Sequence, residues 1–237
     1  MTLHPSDLGV NLLIGDGVVV GAGVAFGANV VVYDDTVIGD GCFAQDGAVL
    51  GKVPSLSPTS TAKRGELAPL VVGAGCVIST GAVVYRGTTL GPGCILGDYA
   101  GVRERCVLGE RVVVGRGSVI ENDTTIGDLT KIQTNVYITA YMTIEDRCFI
   151  APCVQTTNDN FMGRTEKRHK LIKGATIRRG ARVGGGAVLC PGIEIGEEAF
   201  IAAGAVVTKD APARKVLMGV PARVVRDVSE DELLENQ

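Results

Sequence analysis

The amino-acid sequence predicts an all-β chain wound into a parallel β-helix, and three observations carry that prediction. From Val72 to Ile150 an aliphatic residue recurs every six positions without a miss: Val72, Ile78, Val84, Leu90, Leu96, Val102, Leu108, Val114, Ile120, Ile126, Ile132, Ile138, Ile144 and Ile150. The same beat opens the chain (Ile14, Val20, Phe26, Val32, Ile38, Ala44, Leu50) and closes it (Leu171, Ile177, Val183, Leu189, Ile195, Ile201, Val207). The position four residues after the aliphatic is usually small, as at Ala48, Ala82, Ala100, Ser118, Ala181 and Ala199. A six-residue period makes each repeat one flat face of a coil, and stacked coils bury a continuous core. Three hexads make one triangular coil of eighteen residues in the helix this repeat implies. The 28 hexads then form about nine coils. At ~4.8 Å between neighbouring strands the prism stands roughly 40–45 Å tall.

Taken in order, the N-terminal segment MTLHPSDLGVNLLIG has neither the charged start nor the long apolar stretch of a secretory signal. The first coils run from Ile14 to Leu50. Glycine often follows the aliphatic residue (Gly15, Gly21, Gly73, Gly91, Gly109, Gly127), where a tight corner is expected to need unusual backbone angles. The beat then breaks twice. Residues 52–69 are rich in Pro, Ser and Thr, and residues 156–170 carry TTNDNFMGRTEKRHK without periodicity, so both read as loops thrown out of the solenoid. Such loops are where binding and catalytic groups usually sit, although a surface insertion with no role is also cheap. After Val207 three prolines and no hexads suggest a segment running back along the outside. Ser229 followed by Glu232 reads as a capping box for a short C-terminal helix. The expected organisation is one solenoid domain over residues 1–228 and a helical tail over residues 229–237.

Composition narrows the function classes. A net charge of −3 among 237 residues, without a basic run or aromatic platform, argues against nucleic-acid binding. No stretch approaches the roughly 18–20 apolar residues of a membrane helix, so the expected location is the cytoplasm. Of seven cysteines, Cys42, Cys76, Cys94, Cys106 and Cys148 share the small position of the hexad and read as core fillers, not as disulfide or zinc residues. Cys153 and Cys190 lie off it.

One column breaks the pattern. Residues eighteen apart stack on successive coils, and on the face holding Val84, Val102, Ile120 and Ile138 the glycines after the aliphatic are missing. In their place stand Tyr85-Arg86, Arg103-Glu104-Arg105, Glu121-Asn122-Asp123 and Thr139-Ala140-Tyr141, followed at the loop by Thr157-Asn158-Asp159. Glu104, Asn122, Ala140 and Asn158 form one file; Arg105, Asp123, Tyr141 and Asp159 form the next. An edge of amides and ionisable groups ending at a loop is a candidate substrate groove; an edge of ordinary salt bridges, such as Arg103 or Arg105 with Glu121, is the plainer alternative.

The stretches KIQTNVYITAYMTIEDRCFIAPCVQTTNDNF, IKGATIRRGARVGGGAVLCPGIEIGEEAFIAAGAVVTKDAP and MGVPARVV resemble the hexapeptide-repeat acyltransferases, and more narrowly those that N-acetylate nucleotide-linked amino sugars. The resemblance implies left-handed coils, a handedness that periodicity does not show. It implies a homotrimer with sites between subunits, and acetyl-coenzyme A or another acyl-coenzyme A as co-substrate. It further implies cofactor contacts from Ala203, Gly204, Lys209, Gly219, Pro221 and Arg223, with an Asn-Asp pair at the loop mouth matching Asn158 and Asp159. On this reading Asp159 takes or orients the amine's protons, and Asn158 positions the substrate or the thioester carbonyl. Substrate contacts are expected from Glu104, Arg105, Glu121, Asn122, Asp123, Tyr141, Phe161 and Arg164, with Glu121 and then His169 as reserve bases. Lys167, Arg168 and Lys170, with Arg164, are candidates to meet a diphosphate.

The only histidines are His4 and His169, neither on a hexad. Two cannot supply the three-histidine metal site found in carbonic anhydrases of this fold, so no metal is expected. A missing coil histidine also counts against a hydroxyl acceptor, because an amine needs less base assistance than a hydroxyl. The leading expectation is N-acylation of a nucleotide-linked amino sugar; acylation of an amino acid or a sugar hydroxyl, or a non-catalytic scaffold, are the alternatives.

Overall fold

The computed structural model describes residues 2–58, 60 and 62–237. Three sheets of very short strands wind into a parallel β-solenoid, in agreement with the left-handed parallel β-helix expected. Between the two loops the repeat length is eighteen residues: Val102 pairs with Ile120, and Ile120 with Ile138. The aliphatic stations fill the core, with Val84, Val102, Ile120, Ile138 and Ile150 all fully buried. Strand Leu3–Ser6 runs antiparallel to Leu12–Gly15 at one end of the first sheet.

The small station is more than a filler. Ser118 Oγ donates to Gln133 O (2.7 Å), Thr130 Oγ1 to Glu145 O (2.8 Å), and the thiols of Cys76, Cys94 and Cys106 to Gly91, Gly109 and Glu121 O (3.2, 3.1 and 3.2 Å). Each supplies a donor to a corner carbonyl of the next coil that the strand ladder leaves over. All five cysteines of this register are buried; Cys153 is exposed and Cys190 half-buried, and all seven are free thiols.

The glycines after the aliphatic have a different cause from the one expected. Left-handed backbone falls two positions later, at Gly17, Asn29, Asp35, Arg105, Asp123 and their equivalents. Gly115 is glycine because a Cβ there would stand 2.5 Å from Gln133 C and 2.6 Å from Thr134 N. Adjacent coils touch backbone to backbone at that corner.

Both loops leave the same edge, the corner after the first sheet. One follows strand Val49–Lys52 and returns at Val71–Val72; the other follows Gln155–Thr156 and returns at Thr176–Ile177. Register survives both excursions, since Leu50 pairs with Val84 and Thr156 with Leu189.

Two expectations need correction. Leu171 is no coil station; it ends the short helix Arg168–Leu171 and is 58% exposed. Thr156 holds the station instead, buried, with a hydroxyl in place of a methyl, which is why an aliphatic count passes it over. The C-terminal segment also differs. Strand Lys215–Gly219 extends the third sheet in parallel with Phe200–Ile201, and Ala222–Asp227 turns back antiparallel to it. The tail forms two 3-10 turns, Glu230–Glu232 and Leu234–Asn236, and Ser229 makes no side-chain cap. Leu233 sits between the turns, buried with Val216 and Val228, and that anchor sets the tail's path.

Candidate active site

The edge that lost its glycines is roofed by the two loops. Between them lies a cavity of about 400 Å³. The solenoid lines it with Arg103, Glu121, Asn122, Tyr137, Thr139, Ala140 and Tyr141. Residues Ser55, Leu56, Ser57, Ser60 and Ala62 close it from the first loop; Asn158, Asp159, Arg168 and Ile172 close it from the second. The stacking read from the eighteen-residue period holds at atomic detail: Asp123 N–H donates to Glu104 O, Tyr141 N–H to Asn122 O, and the Asn158 amide to Ala140 O (3.3 Å).

The coil loosens at the cavity. Strands Tyr137–Ile138 and Gln155–Thr156 share a single register pair, Tyr137 with Gln155. Thr139 N–H, which elsewhere on this face bonds a backbone carbonyl, donates to Thr156 Oγ1 (2.8 Å), and that hydroxyl donates to Tyr137 O (3.0 Å). A threonine at an aliphatic station thus replaces a ladder bond with a side-chain bridge beside Asn158.

Charge on this edge is organised from below. Glu104 is wholly buried, receives Arg103 Nε and Nη2 (2.8 and 3.1 Å), and has Arg105 Nη2 at 3.7 Å. It therefore underlies the cavity and does not line it. Arg103 reaches on to Glu121 Oε2 (3.3 Å) and stacks on the Tyr85 ring, 5.2 Å from its centroid. Arg105 makes a two-pronged pair with Asp123 (2.9 and 2.8 Å). Burial pushes the Asp123 carboxyl up, but Arg105, Asn122 and Lys63 outweigh it and hold the group below the usual carboxylate range. Burial first, and then the Glu121 carboxylate, push the Tyr137 phenol up, so it stays a donor.

Asn158 and Asp159 sit side by side with different surroundings. The Asn158 amide nitrogen is used, and its Oδ1 has no partner among the described residues. Asp159 accepts from Gly163 N–H (2.9 Å) and Phe161 N–H (2.8 Å), with Arg168 Nη1 at 3.4 Å. The two backbone donors foremost hold its carboxyl below the usual range. Such a group binds protons weakly, so it ties the loop and accepts hydrogen bonds but makes a poor base.

Of the residues expected to meet substrate, Glu121, Asn122, Tyr141, Asn158 and Asp159 come together around the cavity; Asp123, Phe161 and Arg164 do not line it. Arg105 instead lines a neighbouring cavity of about 400 Å³ with Val53, Pro54, Leu56, Lys63, Arg64, Gly65, Glu66, Leu67 and Arg86. His169 also lies off the cavity, 3.4 Å from Glu166. Tyr137, Thr139 and the first-loop residues were missed. The aliphatic beat hid the shared edge: it breaks after Leu50 on the first sheet but after Ile150 on the third, and only the non-aliphatic station Thr156 brings the second loop to the same corner.

Farther along that edge, Lys209 and Arg223 line a smaller cavity of about 310 Å³ with Leu217 and Ala222; Ala203, Gly204, Gly219 and Pro221 lie outside it. Lys209 occupies the same position after Val207 that Asn158 holds after Thr156, two coils on, or about 10 Å. A larger cavity of about 500 Å³ opens at the corner after the second sheet, where Arg178 bridges Glu145 and Glu194 (2.8 and 2.6 Å). Its lining carries four carboxylates, Glu145, Glu194, Glu197 and Asp210, and the single cation Arg178.

The description "Bacterial transferase hexapeptide (six repeats)" matches residues 105–140 and 174–209, either side of the second loop. Both matched stretches carry the six-residue repeat that this description names. Relatives of this hexapeptide-repeat protein include the galactoside O-acetyltransferase of Escherichia coli (strain K12), 34% identical over 38% of this chain and 45% of that protein. Another is the 2,3,4,5-tetrahydropyridine-2,6-dicarboxylate N-acetyltransferase of Staphylococcus aureus (strain JH9), 46% identical over 20% of each chain. The serine acetyltransferase of Buchnera aphidicola is 40% identical over 29% of this chain and 25% of its own. The matches thus span a fifth to under a half of these relatives' length. The solved UDP-N-acetylglucosamine acyltransferase of Arabidopsis superposes with a TM-score of 0.49 at 18% identity, over 97% of this chain and 76% of that one.

Proposed function

We propose that this protein is an acyltransferase that moves an acyl group, most simply acetyl, from coenzyme A to the amine of a nucleotide-linked amino sugar. The observation that carries the reading is the two-loop cavity that Asn158, whose carbonyl is unpartnered among the described residues, lines together with the Glu121 carboxylate two coils away. An attacking amine donates one N–H to Asn158 Oδ1, which aims its lone pair at the thioester carbon. The carbon–nitrogen bond forms, the tetrahedral oxyanion collapses, and the carbon–sulfur bond breaks. The amine's surplus proton reaches the leaving thiolate, either directly or relayed by Glu121, giving amide and free thiol. Asp159 keeps the loop in place through Phe161 and Gly163. Lys209 and Arg223, farther along the edge, supply donors for the phosphates of coenzyme A.

Acylation of a hydroxyl is the second reading, since relatives of both kinds exist. It is weakened by the absence of a histidine from the cavity lining, because a hydroxyl needs a base near neutral pKa where an amine does not.

Assembly into a homotrimer is part of the proposal. Its support is apolar side chains facing outward on two adjoining sheets: Val19, Val71 and Val107 on one, Phe43, Ile95 and Phe149 on the other. Among the described residues no helix is long and apolar enough to cross a membrane; the reading takes the cytoplasm as its setting.

The test is thiol release from acetyl-coenzyme A with a panel of amino-sugar nucleotides. Asn158→Ala is expected to cost about a hundred-fold or more in turnover with an unchanged melting temperature. No turnover with any amine, together with no coenzyme A binding by calorimetry, overturns the reading.

A further inference from the structure

The first loop builds a cavity of its own beside the amine cavity, and the two share Leu56. Its lining has two characters. Lys63, Arg64, Arg86 and Arg105 bring four cations against one acid, Glu66, while Val53, Pro54, Leu56 and Leu67 supply apolar wall.

The cations are not equally engaged. Arg86 is locked by Leu67 O, Asp34 O and Asp35 (3.0, 2.6 and 2.8 Å), and Arg105 by Asp123. Lys63 approaches Asp123 only at 3.5 Å, with its side chain 71% exposed. Arg64 donates to Ser57 O (2.6 Å) and has no carboxylate partner among the described residues. Two fixed guanidinium groups and two adjustable cations, set in a concave site of ligand-sized volume with apolar walls, suit an anion joined to a flat apolar body.

Position along the edge selects the anion. Arg105 lies three coils from the level of Asn158, about 14 Å. Lys209 lies two coils from Asn158 on the opposite side. The amine cavity therefore stands between two cationic stations. Glu104, buried beneath, holds Arg103 toward the amine cavity and touches Arg105 toward the other.

We infer that the cavity of Lys63, Arg64, Arg86 and Arg105 is the subsite for the nucleoside diphosphate end of the acceptor, with coenzyme A confined to the Lys209 side. This rests on the acceptor reading above for its biological ligand, but nucleoside diphosphate binding can be measured without acetyl transfer. Coenzyme A carries the same phosphate chemistry, so the experiment needs both ligands.

Calorimetry on the full chain uses UDP, dTDP and coenzyme A as separate probes, with wild type and the Lys63→Ala/Arg64→Ala double variant. Both side chains are on the loop surface, and an unchanged melting temperature confirms the fold. The expected result is UDP or dTDP binding weakened about ten-fold or more by the double variant, with coenzyme A binding unchanged. Nucleoside diphosphate binding that ignores the variant, or is absent from wild type, overturns the assignment. So does a loss confined to coenzyme A, which gives the cavity to the cofactor. If acylation fails with every amine while the double variant still loses UDP or dTDP, the subsite stands and the amine reading falls.

Discussion

Glu104→Gln isolates the charge at the base of the edge. The substitution keeps shape and volume, and removes one negative charge from a wholly buried position that receives two bonds from Arg103 and has Arg105 at 3.7 Å. Breaking one partner of a buried pair typically costs about 3–5 kcal/mol, because the other charge is left uncompensated. Here the orphaned charges are not abandoned: the Arg103 side chain is 24% exposed and retains Glu121, while Arg105 retains Asp123. The expected loss is therefore smaller, about 2–3 kcal/mol, or roughly 4–12 °C in melting temperature for a chain of this length. Arg103→Met in the Glu104→Gln background should recover part of it, since the uncompensated cation is then gone; the cycle should return a coupling of about 1–3 kcal/mol. Thermal melts followed by circular dichroism read all four proteins. A Glu104→Gln curve overlaying wild type, or strictly additive variants, would refute the account of Glu104 as the shared anchor of the two arginines.

Three further outcomes follow from the geometry. Asp159, held below its ordinary value of 3.8 by the Gly163 and Phe161 N–H groups, ties the second loop; a depressed carboxyl contributes order that is complete above its unfolded pKa and lost as pH falls through the folded one. Asp159→Ala should therefore speed tryptic cleavage after Arg164 and Lys167 at neutral pH without lowering the melting temperature, and equal cleavage rates would count against it. Gly115→Ala should destabilise by about 1–3 kcal/mol, since its Cβ would meet backbone atoms of the next coil at 2.5–2.6 Å; Gly47→Asn, at φ 68° with nothing within 4 Å, should be near neutral because asparagine tolerates that conformation. Thiol titration of the native protein should reach Cys153 first and spare Cys106 and Cys148, which are buried and whose thiols burial pushes up to about 12; full reaction of all seven before unfolding would contradict the core placement.

Most of the fold was legible because a solenoid repeats one local rule. Once a station was assigned, burial of Val102 or Ile138 and the stacking of Asp123 on Arg105 followed from counting by eighteen. Counting failed where chemistry replaced apolarity. Thr156 is buried at an aliphatic station but reads as loop, and Leu171 keeps a familiar spacing on the surface of a helix. The candidate site was half legible. Asn158, Glu121 and Asn122 sit on the lattice and were placed by it. The first-loop residues Ser55 and Leu56 do not, and their folding back over the edge depends on contacts such as Arg86 with Leu67 O that no period encodes. Glu104 was put in the right file, but its depth beneath Arg103 is a matter of side-chain direction.

Because the two loops and Lys209 hang from one edge of a stiff stack, the distances between them are graduated. Each coil adds one step of about 4.8 Å, and backbone contact at corners such as Gly115 leaves no slack for intermediate settings. The edge is in effect a ruler. A relative that gained or lost one coil between Arg105 and Asn158 would accept a ligand one rung longer or shorter, so specificity for length along this scaffold should change in jumps and not by drift.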